Sequence, residues 1–108
     1  MIGGSEMKYE YRIYQAPRKC DYTFMPFKHA VANGLDCGDY VSVWFDEIEA
    51  PDINHALEYV FMRHNQPNRP NGKGMRSLSV SDVVVINRTA YYCDSIGFNE
   101  IPRKNWWR

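Results

Sequence analysis

The chain has 108 residues, of which 44% are hydrophobic and 15% aromatic, so it is long enough for one globular core and too short for two. Its 13 basic and 13 acidic side chains cancel, which excludes a global attraction to nucleic acid or to an anionic membrane. No apolar run approaches the roughly 20 residues of a membrane-spanning helix, and the N-terminus MIGGSEMKYE lacks the pattern of a secretory signal. We therefore expect a cytoplasmic protein with no membrane contact.

The first half of the chain predicts two strands with a short helix between them. We expect a flexible leader over residues 1–7 and a single domain over residues 8–108. Polar and apolar residues alternate over residues 8–15, which is the period-two pattern of a half-buried strand. Pro26 predicts the start of a helix of one or two turns. Residues 39–46 predict a second strand with aromatic residues on both faces, which indicates cover on each side or an exposed adhesive face.

Residues Ile53 to His64 give the clearest helix prediction. Asp52 can accept an amide hydrogen bond as N-cap. Apolar residues recur at the spacing of one helical face, which we expect to be core: Ile53, Ala56, Leu57, Val60 and Phe61. His64 continues the same apolar stripe but lies at the helix end, where a cation interacts favourably with the helix dipole, so we predict a capping role in preference to catalysis. His55 lies off the apolar face and should be exposed to solvent.

Residues 65–74 predict a long surface loop, because their Pro, Gly and Asn content opposes regular structure. Arg69, Lys73 and Arg76 make this region locally basic, and nearby glycines would let backbone amides approach an anion. One interpretation is an anion or nucleic-acid site formed by these three cations. The other, which we prefer, is a solvated loop.

Residues 76–98 predict a β-hairpin with an exit turn. Two β-branched and aromatic runs, Val83 to Ile86 and Thr89 to Cys93, flank Asn87-Arg88, and asparagine tolerates the positive φ of a tight turn. Gly97-Phe98 then marks a stop, with Gly97 supplying a backbone conformation that other residues resist.

The order of residues in this segment resembles the YodL-like domain family. The shared positions are Ser77 to Val85, Ala90 to Tyr92, Asp94-Ser95 and Gly97-Phe98. A looser likeness covers the strand Tyr11 to Tyr14 and the run Phe61 to Asn65. The resemblance implies a small domain carried by conjugative elements and phages, often inside large multidomain proteins. It implies no catalytic residues.

Groups suited to catalysis or metal binding are sparse. The three cysteines form no C-x-x-C pair, and no histidine lies at zinc-finger spacing from them, so we predict no metal and no cofactor. No G-x-S-x-G elbow is present, and Ser81-Asp82 and Asp94 fit turns and backbone hydrogen bonds. Cys93 fits a small buried hydrophobe. We predict no catalytic residues and no enzyme activity.

The C-terminal tail combines three cations with neighbouring indoles: Arg103, Lys104, Trp106, Trp107 and Arg108. Tryptophan and arginine are frequent anchors of protein interfaces and also stack on unpaired bases. The arrangement that we prefer for one tryptophan is folding back over an apolar patch, because neighbouring indoles are costly to leave in water.

Together, these elements predict an α+β fold: a mixed or mainly antiparallel sheet of about four or five strands, covered by one main helix and a shorter one, with a partly closed barrel as a variant. With the resemblance, they favour a non-enzymatic interaction domain of a mobile genetic element that binds a protein partner. A host defence nuclease, such as a CRISPR or restriction enzyme, is a candidate target. The alternative is a nucleic-acid-binding accessory module that uses the basic loop 69–76 and the Trp-rich tail.

Overall fold

The computed structural model describes residues 6–70 and 74–102. Their strands and helices are, in chain order, β1 (Met7–Gln15), α1 (Phe27–Ala32), β2 (Val41–Ala50), α2 (Ile53–Arg63), β3 (Val83–Ile86), β4 (Thr89–Cys93) and β5 (Phe98–Ile101). All strand pairs are antiparallel, in the order β2-β1-β3-β4-β5. The predicted α+β fold is confirmed. Within the described residues the five strands form an open sheet, with β2 and β5 at its edges.

Each face of the sheet carries its own core. The core under α2 includes the buried residues Tyr11, Ile13, Ile48, Ala56, Leu57, Val60, Val84 and Ile86. The core on the opposite face, next to α1, includes Tyr14, Tyr22, Ala30, Leu35, Tyr40, Val83, Val85, Tyr92 and Ile101. Because alternate residues of a strand point to opposite faces, the central strand β3 serves both cores and all four of its residues are buried.

The predicted hairpin is confirmed. Asn87 and Arg88 join β3 to β4 with φ values of 52° and 65°, the two positive φ angles of a type I′ turn. The twist of that turn matches the twist of the flanking strands, which fixes the register of Ile86 opposite Thr89. Phe98, which we predicted as the stop of the hairpin, instead opens the fifth strand.

Helix α2 begins at Ile53 as predicted, but the residue that follows its last turn, His64, is buried. The Asp52 carboxylate accepts a hydrogen bond from the backbone N–H of His55 at 2.9 Å, and His55 is exposed. His64 is the C-cap residue of the helix, as predicted, but it does not cap as a cation: its side chain is fully buried, and burial lowers its pKa to about 4. Phe61, predicted as core, is 39% exposed because it lies at the margin of the apolar face.

Strand β2 runs four residues further than the predicted end at residue 46. The extension forms because Ile48 and Ala50 are buried, opposite Tyr9 and Met7 of β1. Met7, placed in the predicted leader, is therefore part of β1, and residues 1–5 lie outside the described residues.

Candidate interaction surface

The segment before β3 is anchored by the buried carboxylate of Asp82. Asp82 Oδ2 accepts hydrogen bonds from the Ser79 backbone N–H at 2.8 Å and from Gln15 Nε2 at 3.0 Å. Burial raises its pKa to about 6, against the opposing effect of these bonds. Arg76 Nη2 lies 3.4 Å from Asp82 Oδ1 and 3.3 Å from the Ala16 carbonyl oxygen. The charge of Arg76 is therefore offset by Asp82.

The predicted binding residues are only partly within the described chain. Arg76 is exposed and paired with Asp82, and Arg69 is half-buried. The others lie outside the described residues: Lys73, Arg103, Lys104, Trp106, Trp107 and Arg108. Their roles in binding an anion, a nucleic acid or a protein stay predictions.

The turn chemistry predicted for Ser81 and Asp94 is confirmed. Ser81 Oγ accepts a hydrogen bond from the Phe24 backbone N–H at 3.0 Å. Asp94 Oδ1 accepts from the backbone N–H groups of Phe27 at 3.2 Å and Ser95 at 2.7 Å. Gly97, with a φ of 69°, closes the turn into β5 by accepting from the Asp94 N–H at 2.9 Å. These polar groups position α1 and β5 relative to the sheet.

Cys93 is a buried hydrophobe, as predicted. Its side chain is 2% exposed, and burial raises the pKa of its thiol to about 12, which keeps it protonated at neutral pH. Among residues 6–70 and 74–102, no three side chains of His, Cys, Asp or Glu come together in a way that could hold a metal ion.

A second polar cluster ties the end of α2 to β1 and β2. The Tyr11 hydroxyl lies 2.8 Å from His64 Nε2 and accepts a hydrogen bond from Arg63 Nη1 at 3.2 Å. Arg63 Nη1 also lies 3.4 Å from Asp46 Oδ2. Because burial raises the pKa of Tyr11 and lowers that of His64, both side chains are neutral at pH 7.

This cluster also caps the edge strand β2. The Glu47 N–H donates to Asp46 Oδ1 at 2.8 Å, and the Glu47 carbonyl oxygen accepts from Arg63 Nη1 at 3.1 Å. Both groups are satisfied by side chains, so they point away from the ladder with β1 and toward the outer edge. An edge whose backbone groups are occupied in mid-strand is a poor template for another strand.

The opposite edge, β5, presents its backbone differently. Cys93 donates its N–H to the Asp82 carbonyl oxygen at 2.8 Å and accepts from the Ser81 N–H at 2.9 Å, so its backbone groups face away from β5. Its partner Phe98 consequently points its own N–H and C=O to the outer edge, and Glu100, two residues further on, does the same. Within the described part of the chain, these outward groups have no hydrogen-bond partner.

Two grooves flank β5, one on each face of the sheet. The α2–β5 groove, of about 430 Å³, lies between α2 and the β4–β5 turn. Its lining includes Leu57, Phe61 and Phe98 with the acidic residues Glu58 and Asp94, and no lysine or arginine of the described residues. The rings of Phe61 and Phe98 meet edge to face, with centroids 6.4 Å apart.

The α1–β5 groove, of about 460 Å³, lies on the other face. Its apolar walls are Phe27, Val31, Leu35, Ile101 and Pro102. Val31 is 57% exposed although it is aliphatic. Sequence reasoning missed both grooves because it missed β5; the available signal was weak, two apolar residues, Phe98 and Ile101, that a strand would place on opposite faces.

The fold and its surface define a small α+β domain with an open antiparallel sheet and a helix against each face. The model of the YodL-like domain family matches residues 10–103, so the chain belongs to that family. No curated protein and no solved structure matches the chain. Neither helix of the described residues is long and apolar enough to cross a membrane.

Proposed function

We propose that this domain is a non-enzymatic protein-interaction module of a mobile genetic element and acts in the cytoplasm. The proposal is carried by the contrast between polar side chains that hold the fold and apolar side chains that stay exposed around β5. Val31 is 57% exposed, Phe61 39% and Ile96 93%, and other exposed apolar side chains, such as Phe24 and Phe45, lie elsewhere on the described surface. Exposed apolar side chains that gather around grooves favour association with another protein.

The environment of the polar groups supports binding rather than catalysis. An acid, base or nucleophile must reach its substrate with a suitable pKa. Ser81 and Asp94 accept backbone hydrogen bonds, Asp82 is buried beside Arg76, and the Cys93 thiol is protonated at neutral pH. These polar groups of the hairpin segment therefore have structural roles.

A host defence nuclease is the candidate partner, because conjugative elements and phages meet such enzymes on entering a cell. The test is reconstitution: the purified domain is mixed with a purified CRISPR or restriction nuclease from a host of the element, and complex formation and DNA cleavage are both measured. We expect a stoichiometric complex and slower cleavage. Cleavage that is unchanged at saturating domain, with no complex, would remove that class of partner.

Binding of single-stranded oligonucleotides separates the alternative nucleic-acid role from the protein-binding role. The offset of the Arg76 charge by Asp82 favours a protein ligand. Fluorescence anisotropy should show weak binding with a shallow dependence on salt. Tight binding that falls steeply with salt, and falls further in an Arg69→Ala/Lys73→Ala variant, would support the nucleic-acid module instead.

A further inference from the structure

The geometry points to the outer edge of β5 as the place where an extended segment of the partner adds a sixth strand. The segment would present apolar side chains to both grooves and a lysine or arginine to the α2–β5 groove. This inference rests on the proposed function and specifies the surface and the chemistry of the partner.

The backbone of β5 supplies a short hydrogen-bonding template. The outward N–H and C=O groups of Phe98 and Glu100 can pair with an added strand, as in recognition by β-augmentation. Pro102 is the next residue in the outward position, and it has no N–H to donate. The template is therefore two outward residues long, which suits a short peptide segment.

The two grooves give this edge its side-chain selectivity. Successive side chains of a strand point to opposite faces, so a segment beside β5 places one side chain toward the α2–β5 groove and the next toward the α1–β5 groove. Both grooves have apolar walls, and each volume exceeds that of a single aliphatic side chain. An alternating pattern of apolar residues is the sequence that this edge fits.

Charge distinguishes a foreign segment from a second copy of this chain. Glu58 lines the α2–β5 groove and forms no ion pair within the described residues, whereas the carboxylate of Asp94, another lining residue, already accepts backbone hydrogen bonds from Phe27 and Ser95. Self-pairing of β5 about its centre would place Glu100 of one copy opposite Phe98 of the other, at the same groove. The carboxylates of Glu58 and of the second copy's Glu100 would then meet, whereas a lysine or arginine from a partner complements Glu58.

The edge is tested with a display library of random heptapeptides selected on the full chain, followed by synthesis of the enriched peptides. The key variant is Glu100→Pro, which deletes an outward N–H and leaves the ladder with β4 intact. Glu100→Gln keeps the N–H and controls for charge. Phe45→Pro, at an exposed position of the capped edge β2, controls for a proline in an edge strand.

We expect enriched peptides with alternating apolar residues and a lysine or arginine, and about tenfold weaker binding to folded Glu100→Pro than to Glu100→Gln. The amide protons of Phe98 and Glu100 should exchange more slowly in the complex. Phe45→Pro should bind like the unmodified chain. Sedimentation of the chain alone should show no self-association through β5, that is, no dimers that disappear in Glu100→Pro.

Several outcomes overturn the inference. Equal peptide affinity for folded Glu100→Pro and Glu100→Gln would place binding elsewhere, and β5-dependent dimers would make a second copy the occupant. Enriched peptides without the alternating pattern would refute the selectivity of the grooves. If the natural partner binds Glu100→Pro normally, the partner does not bind at β5, and the interaction function stands. If no protein binds the unmodified chain, the proposed function itself fails.

Discussion

The two edges of the sheet differ in length and in how their backbone groups are used. β2 is ten residues long, and the chain satisfies both backbone groups of Glu47 with Asp46 and Arg63. β5 is four residues long, and the outward groups of Phe98 and Glu100 have no partner within the described residues. A long uncapped edge would invite indiscriminate pairing, whereas a short edge between two grooves can be selective. The chain thus caps β2, the longer edge, where unwanted strand pairing is the greater risk.

The largest expected effect comes from the core that supports the β5 side. Leu57 is 4% exposed and belongs to both the core under α2 and the wall of the α2–β5 groove. Leu57→Ala should lower the free energy of unfolding by about 2–4 kcal/mol through lost burial and a residual cavity. Urea unfolding measures this change. Glu58→Ala, at the neighbouring exposed position, is the control and should change the free energy of unfolding by no more than about 0.5 kcal/mol. Equal changes in the two variants would mean that α2 does not pack on the sheet through the face that carries Leu57.

Removing Arg63, one half of the cap of β2, should make this edge more like β5. Arg63→Ala deletes the donor to the Glu47 carbonyl oxygen and to the Tyr11 hydroxyl, at a cost of about 1–3 kcal/mol. The variant should also self-associate at concentrations where the unmodified chain is monomeric, which sedimentation and thermal melting would reveal. Lys8→Ala removes only an exposed ion pair of 3.9 Å with Glu47 and should change neither property. A monomeric, folded Arg63→Ala variant would show that β2 is protected by other means.

The dependence of stability on pH probes the buried groups behind the two edges. Burial lowers the pKa of His64 from 6.5 to about 4. The contribution of this histidine to the free energy of unfolding is therefore fully present above pH 6.5 and is lost as the pH falls toward 4. Burial raises the pKa of Asp82 from 3.8 to about 6, so its contribution is present below pH 3.8 and is lost as the pH rises through 6. The two slopes oppose each other, and the net change between pH 4 and 6 should be small.

Single substitutions should separate these slopes. As the pH falls from 6 to 4, His64→Gln should become more stable, because the slope from Asp82 is then not opposed by His64. Asp82→Asn should lose stability over the same interval. Urea midpoints at each pH measure both. Parallel profiles for the two variants would contradict the assignment of the slopes.

The smallest expected effect lies in the hairpin, away from both edges. Arg88 adopts a φ of 65°, which glycine populates without a steric penalty. Arg88→Gly should therefore raise stability by about 0.5–1 kcal/mol, while Asn87→Gly should change it less, because asparagine already tolerates positive φ. Thermal melting measures both changes. Peptide binding and self-association should stay as in the unmodified chain, and a change in either would show coupling between the turn and an edge.

Local patterns predicted the parts of the fold that depend on local chemistry. The spacing of apolar residues indicated α2, and Asn87-Arg88 indicated the hairpin turn, because a helical face and a type I′ turn need only neighbouring residues. The position of His64 on the apolar stripe of the helix was a local signal of burial, but its partner was not predictable, since Tyr11 lies 53 positions earlier in the chain.

The candidate site was less accessible from sequence than the fold. β5 was missed because its four residues gain strand structure from pairing with β4 rather than from a strong pattern of their own. The grooves then followed from the meeting of α1, α2 and β5, which no single segment specifies. The capping of β2 by Arg63 likewise joins a helix to a strand across 16 positions.

The capped β2 edge has a consequence for assembly. A sheet that accepts strands at both edges is bifunctional, and copies of it can link end to end without limit. A sheet with one occupied edge has a valence of one, so a bound segment completes it and growth stops.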